Sequence, residues 1–268
     1  MKDCEFPVIC QYLGEQSWPD ARISGVEVTH IWTQSVELSQ RISKASLISN
    51  AVHHPNDMLG KIDALLLARD DAENHFKFAA PFIKAGIPIY IDKPIALSLI
   101  DLELLYQLQQ YDGQIFTCSA LRFANEFILT EGVRERIGHI RHIHATTPNS
   151  WEKYAVHIIE PVLKMIDSPV SLKNAQSRLI ARSGRAIAVD FENGVTAEFL
   201  AFGKDTASPL AIRVYGESGW HDMVLIDSFS AFKTALIEFI VGIQSHSCRS
   251  PLEFNRQVVS ILEFGLCK

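Results

Sequence analysis

Residues 62–97 read IDALLLARDDAENHFKFAAPFIKAGIPIYIDKPIAL. The apolar run at 62–68 fits a strand covered on both faces. It stops at a charged turn, Arg69-Asp70-Asp71. The segment 72–86 places Phe76, Ala79, Ala80 and Ile83 on one side. It closes with Lys84, Ala85 and Gly86, as a helix with a C-terminal stop does. A second apolar run, Ile87 to Ile91, then gives way to Asp92, Lys93 and Pro94. Strand, helix and strand make a βαβ unit of a parallel sheet, and in such a sheet ligands bind beyond the carboxyl ends of the strands. Pro94 has no N–H and a fixed φ, so it ends the ladder and directs the turn. Lys93 at that point can donate to a hydroxyl or carbonyl, with Asp92 beside it. The plainer reading is a polar strand-to-helix turn in which Asp92 only caps.

Outward from this block the alternation continues. VEVTHIWT (26–33) reads as a strand, 35–45 as a short helix, ALSLIDLELLYQLQQY (96–111) as a helix and QIFTCSA (114–120) as a strand. Beyond residue 125 the pattern changes. Strands are expected within 140–146, 171–181, 186–202 and 210–226, with hairpin signals at Asn193-Gly194 and Glu217-Ser218-Gly219. Helices are expected over 150–166, 228–245 and 252–265. Runs of strands with segregated helices indicate an α+β domain with a mostly antiparallel open sheet, whose outer face needs cover from a second copy.

The chain has 268 residues, 47% of them apolar, and a net charge of −6, enough for a sizeable core. Acids and bases are mixed without a basic stripe, so nucleic acid is not an expected partner. No apolar stretch approaches the roughly 20 residues that span a bilayer, and residues 1–15 lack a signal-peptide pattern. Five scattered cysteines without a CxxC pair lead us to expect free thiols and a cytoplasmic location. His53-His54 and the group His139, His142 and His144 lack the cysteine or acid that would complete a zinc spacing, so no metal is expected. A nucleophile motif of the GxSxG kind is absent.

A second candidate lies in NSWEKYAVHIIEPVLKMI (149–166). Asn149 and Glu152 stand at capping-box spacing, so a helix is expected to start there. Lys153 and His157 are i and i+4, Glu160 follows one turn on, and Pro161 is expected to bend the helix. A neutral histidine near a substrate hydroxyl suits general base work. Lys153 beside it is expected to depress the imidazole pKa. The plainer alternative is a solvated helix face with a stray histidine.

Residues 62–97 resemble the central block of the glucose-fructose oxidoreductase/inositol dehydrogenase (Gfo/Idh/MocA) family. That block runs apolar strand, polar turn, histidine, helix ending in Ala-Gly, second strand and Glu-Lys-Pro; Asp92 stands here for the Glu. The resemblance implies an α/β chain. Its N-terminal part, 1–122, would be a Rossmann-like parallel sheet that binds NAD or NADP. Its α+β part, 123–268, would serve substrate binding and oligomerisation. The implied reaction is hydride transfer between nicotinamide and a sugar, polyol or related hydroxy compound. By position, the resemblance puts Ala68, Arg69 and Asp70 along the cofactor, matches His75 to the block's histidine, and sets Asp92 and Lys93 beside the nicotinamide. It places Arg122 at the domain crossing, and Thr33 and Gln34 where the family often has a ribose-binding acid. His157 and Glu160 fit the family's second motif, with Lys153 in its aspartate position, so the implied catalytic set is Lys93, His157 and Lys153.

The first 25 residues contain no GxGxxG, only Gly14 and Gly25. The first βα unit is therefore expected to be absent, leaving an apolar strand edge unpaired. A carbohydrate-like ligand-binding or regulatory protein on the same scaffold, or an inactive truncated chain, are the competing expectations.

Overall fold

The computed structural model describes residues 6–167, 169–180 and 182–266. The chain divides into two compact units, 1–65 and 66–268.

In the first unit, helix α1 (Pro7–Gly14) carries its proline in the first turn, where a missing N–H costs nothing. The segment FPVIC is thus mostly helical. Cys10 is disulfide-bonded, which corrects the expectation of free thiols at this position; Cys118 and Cys248 are free. Strand β1 (His30–Ile31) pairs in parallel with β2 (Asn50–Ala51). Helix α2 (Val36–Ser46) lies between them and starts at Ser35, whose hydroxyl accepts from the Leu38 N–H. The strand expected over 26–33 is only two residues long, because only His30 and Ile31 find a partner.

From the unit boundary onward runs the parallel sheet β3 (Leu65–Leu67), β4 (Ile89–Ile91) and β5 (Ile115–Thr117), with β4 in the middle. Ile89, Ile91 and Ile115 are fully buried, as central parallel strands require. Helices α3 (His75–Lys84) and α4 (Leu99–Tyr106) form the crossovers. Gly86 follows α3 at φ +75, a conformation its missing Cβ permits. β3 is the edge strand of its sheet, and Leu66 on it is 44% exposed.

After a short helix α5 (Glu131–Ile137), six strands form the second sheet. They are β6 (Ile140–Thr147), β7 (Leu172–Ile180), β8 (Gly184–Phe191), β9 (Thr196–Ala201), β10 (Ala211–Gly216) and β11 (Trp220–Val224), in the order β11-β10-β6-β9-β8-β7. Only the β6–β9 pair is parallel. Helices α6 (Trp151–Tyr154), α7 (Val156–Met165), α8 (Ser228–Ser245) and α9 (Leu252–Leu266) complete the unit. The parallel sheet followed by a mostly antiparallel one is the α/β class read from the sequence.

The helix expected over 150–166 is in two pieces. It starts after Ser150 rather than at Asn149, which has φ +62 and exchanges backbone hydrogen bonds with Gly203. It breaks at Ala155, while Pro161 sits inside α7.

Candidate active site at the carboxyl ends of the parallel strands

Three turns follow β3, β4 and β5, and buried polar groups tie them together. The Asp92 N–H donates to the Leu67 carbonyl at 3.0 Å, joining the ends of β4 and β3. His75 is fully buried, with Nδ1 3.0 Å from the Ile95 carbonyl and Nε2 2.9 Å from the Arg69 carbonyl. Both ring nitrogens thus face backbone carbonyls, and His75 lies between the turn after β3 and the turn after β4. Arg69 grips Asp71 with its Nε at 2.8 Å and its NH2, and lies over the Phe78 ring at 4.2 Å. The Arg69 hydrogen bonds hold the Asp71 carboxyl below the usual carboxylate range. Ala68 and Asp70 flank Arg69 in this turn.

The turn after β5 is fixed from the other side. Ser250 Oγ donates to the Thr117 carbonyl at 2.7 Å and accepts the Thr117 N–H at 3.3 Å. Asn255, on α9, donates to the Ser250 carbonyl and to Tyr106 Oη. Buried polar groups paired this fully hold a unique geometry. The exit of β5 is therefore clamped to α4 and α9 before it reaches Ser119.

At Ser119 the turn meets α7. Its N–H donates to Glu160 Oε1 at 2.7 Å, and its Oγ lies 2.8 Å from His157 Nδ1. His157 and Glu160 share a face of α7 at i, i+3 spacing. Arg122 NH1 stands 3.5 Å from Glu160 Oε2, and the guanidinium lies between the rings of Phe123 and Phe254, 5.0 Å from each. Burial pushes the Glu160 carboxyl up to about 7, against the opposing pull of Arg122 and the Ser119 N–H. Desolvation wins because the pair is buried. Tyr90 Oη meets the buried Cys118 thiol at 3.1 Å, and burial pushes that thiol up to about 12, far from a reactive thiolate.

Lys93 stands at the open end of β4, its side chain 19% exposed and its Nζ 3.5 Å from the Asp92 carboxylate. His157 is pushed down to about 3, first by burial and then by the charge of Lys93. The imidazole is neutral at physiological pH, and the cation that depresses it is Lys93. Lys153, expected to do so, is paired elsewhere. Its Nζ is 2.8 Å from Asp70 Oδ2, and both side chains are exposed. That contact raises the Lys153 pKa and lowers that of Asp70.

Lys93, Asp92, His75, Arg122 and His157 are thus gathered around one end of the parallel sheet. Thr33 and Gln34 belong to the other unit. There the Thr33 N–H donates to Ser39 Oγ and its hydroxyl donates to the Ser35 carbonyl, closing the turn between β1 and α2. Sequence reasoning missed Ser119, Tyr90 and Cys118; a serine just past a strand carries no signal of the helix it will meet.

A nicotinamide ring fits the donor set at this end. Asp92 offers an acceptor for carboxamide N–H groups, and Lys93 is a partly exposed donor beside it. For the pyrophosphate, Gly14 ends α1 and Gly25 precedes β1, so neither stands in a strand-to-helix turn, and residues 32–35 between β1 and α2 contain no glycine.

Residues 11–119 match the model of the oxidoreductase family with an NAD-binding Rossmann fold. No curated protein sequence matches the chain. Among solved structures, the fold is similar to a myo-inositol dehydrogenase from Corynebacterium glutamicum, with TM-score 0.75 and 14% identity over 92% of this chain and 90% of that one. It is also similar to GenD2 from gentamicin A biosynthesis in complex with NAD, with TM-score 0.75 and 13% identity over 89% and 85%. A third is the biliverdin reductase from a Synechocystis species in complex with biliverdin and NADP+, with TM-score 0.70 and 14% identity over 88% and 89%. At these identities the likeness speaks for the fold. No helix among the described residues is long and apolar enough to cross a membrane. Through residues 11–119, the chain is thus similar to the Gfo/Idh/MocA family of NAD-binding oxidoreductases.

Proposed function

We propose that this chain transfers a hydride between NAD or NADP and a sugar, polyol or related hydroxy compound. One observation carries it: Lys93, beside Asp92 after β4, and His157, held at Ser119 after β5, gather at the carboxyl end of the parallel sheet. When bound, the nicotinamide gives or takes the hydride at its C4. Lys93 orients the substrate oxygen by donating to it and exchanges a proton with it, with His157 beside the same oxygen. Asp92 holds Lys93 and the carboxamide. Ala68, Arg69 and Asp70 run along the cofactor, and His75 and Arg122 keep the turns in place. Lys153 reaches the site only through Asp70, so its part is to shape the entrance.

On this reading residues 1–122 serve the cofactor and 123–268 the substrate. Exposed Leu179 on β7, with Trp220 and Val224 on β11, supports a homo-oligomer formed through the six-stranded sheet. A sugar-like partner and a cytoplasmic location follow from the same assignment.

The test is titration of the full chain with NADH and with NADPH, read by nicotinamide fluorescence, followed by turnover of polyols and their ketones. Lys93→Ala is expected to lower turnover about 100-fold or more while cofactor binding stays within a few-fold. Unchanged turnover would remove Lys93 from the mechanism. The missing glycine cradle among the described residues favours a second reading, a ligand-binding protein without turnover. Thermal stabilisation by a polyol, with no response to either nucleotide, would decide for it.

A further inference from the structure

The least expected contact in the site is between Ser119 and His157, and the hydrogen-bond inventory around it decides where the imidazole proton sits. Ser119 is fully buried. Its Oγ accepts the Leu121 N–H at 3.3 Å and lies 2.8 Å from His157 Nδ1. Among the described residues no other group stands within reach of its hydroxyl proton. A buried O–H left without an acceptor is costly. The hydroxyl therefore donates to Nδ1, which must be the bare nitrogen, and the neutral ring carries its proton on Nε2.

The opposite tautomer has nothing to reward it. It would offer a lone pair at Nε2, and the nearby cation is Lys93. Yet among the described residues the Lys93 amine makes no hydrogen bond to the ring and leans instead toward Asp92 at 3.5 Å. Ser119 in turn cannot drift, because Glu160 on the same helix face holds its N–H at 2.7 Å and Ser250 holds Thr117 two residues earlier.

We propose that Ser119 is a positioning residue that fixes His157 in the Nε2–H form, so that His157 meets the substrate oxygen as a hydrogen-bond donor and Lys93 alone carries the exchanged proton. This rests on the oxidoreductase assignment for its chemical consequence. In the reducing direction the carbonyl carbon takes the hydride, with its electron pair, from the dihydronicotinamide. The oxygen takes a proton from the Lys93 ammonium, which is left as the neutral amine, and His157 keeps its proton throughout. In the oxidising direction the neutral Lys93 amine takes the hydroxyl proton. With two donors converging on one oxygen, the site polarises a carbonyl, as a neutral imidazole held as a donor can.

The test is a two-bond nitrogen–proton NMR spectrum of the full-length, 15N-histidine-labelled chain without cofactor at neutral pH, with His157 assigned by its loss in His157→Asn. We expect Nδ1 in the unprotonated range and Nε2 in the protonated range. We expect Ser119→Thr to keep that pattern and Ser119→Ala to shift both nitrogens toward a tautomer average. A protonated Nδ1 in the unsubstituted chain overturns the proposal, and so does a Ser119→Ala spectrum identical to it. If Ser119→Ala does not fold, the unsubstituted chain and Ser119→Thr still decide. The spectrum needs no turnover, so a chain that shows the expected tautomer but binds no nucleotide refutes the oxidoreductase assignment and leaves the Ser119 assignment standing.

Discussion

Two ion pairs join the helical stretch after Ser150 to turns at the ends of parallel strands, and they differ in almost every physical respect. Arg122 and Glu160 join α7 to the turn after β5, with side chains only 6% and 4% exposed. Lys153 and Asp70 join α6 to the turn after β3, with side chains 51% and 75% exposed. The second pair has the shorter contact, 2.8 Å against 3.5 Å, yet it is the weaker one. Water and salt screen it, and two long side chains lose freedom to make it. For the first pair, solvation has been given up, so the removal of Arg122 leaves a buried carboxyl answered only by the Ser119 N–H. Contact length is therefore a poor guide to which pair holds the site; depth decides.

The largest expected effect sharpens this contrast. Arg122→Met should destabilise the chain by about 3–5 kcal/mol, read from urea midpoints, because Glu160 is stranded in the interior. Arg122→Met combined with Glu160→Leu should recover part of that loss, since the stranded carboxyl is gone while the Ser119 N–H loses its acceptor. A double variant as unstable as the single one would mean that the pair is held by packing on Phe123 and Phe254 rather than by charge.

The next effect is in the pH dependence. The folded-state pKa of Glu160 is raised from 4.5 to about 7, so its contribution is full below pH 4.5 and is lost as pH rises through about 7. His157 falls from 6.5 to about 3, so its contribution is present above 6.5 and is lost as pH falls through about 3. Between pH 4.5 and 6.5 the two slopes oppose each other, and below 4.5 only the His157 slope remains. His157→Asn should leave Glu160 unopposed, so that stability falls with rising pH across this window by up to about 1.4 kcal/mol per unit. The check is a series of urea midpoints at stepped pH. Identical profiles for the two chains would show that the depth of these groups does not govern their titration.

The smallest effect belongs to the exposed pair. Lys153→Ala should leave the urea midpoint within error and should respond little to added salt. Its trace should appear in KM rather than in kcat, if the pair shapes the entrance. A drop in stability matching that of Arg122→Met would break the contrast outright.

The sequence made the elements legible wherever local spacing decides them. Helix α8 spans the expected 228–245, and the hairpin turns at Asn193-Gly194 and at 217–219 separate β8 from β9 and β10 from β11. It misled where the outcome depends on distant partners. Asn149 has the composition of a cap, but its pairing with Gly203 takes it out of the helix, and Ser150 stands at the start instead. Helix α4 ends at Tyr106 rather than at 111, where Gln109 and Gln110 turn their amides back onto nearby carbonyls. In the site, Lys93 and His157 stood out because unusual residues interrupt apolar runs. The field between them did not, since the i, i+4 spacing of Lys153 and His157 pointed to the wrong cation. Ser119 was invisible because its partner on α7 lies 38 residues further on, a relation no local pattern encodes.

The place of β6 in the six-stranded sheet has a consequence for how the chain is made. It lies between β9 and β10, so the strand that emerges first has no neighbour until much later. His142 meets Thr196, 54 residues further along. At roughly 5–20 residues per second of synthesis, that delay is on the order of 3–10 s. During it Ile143 and Ala145, both fully buried in the finished protein, stay uncovered. A nascent chain halted before β9 should therefore recruit holdase chaperones, and one released after β10 should not.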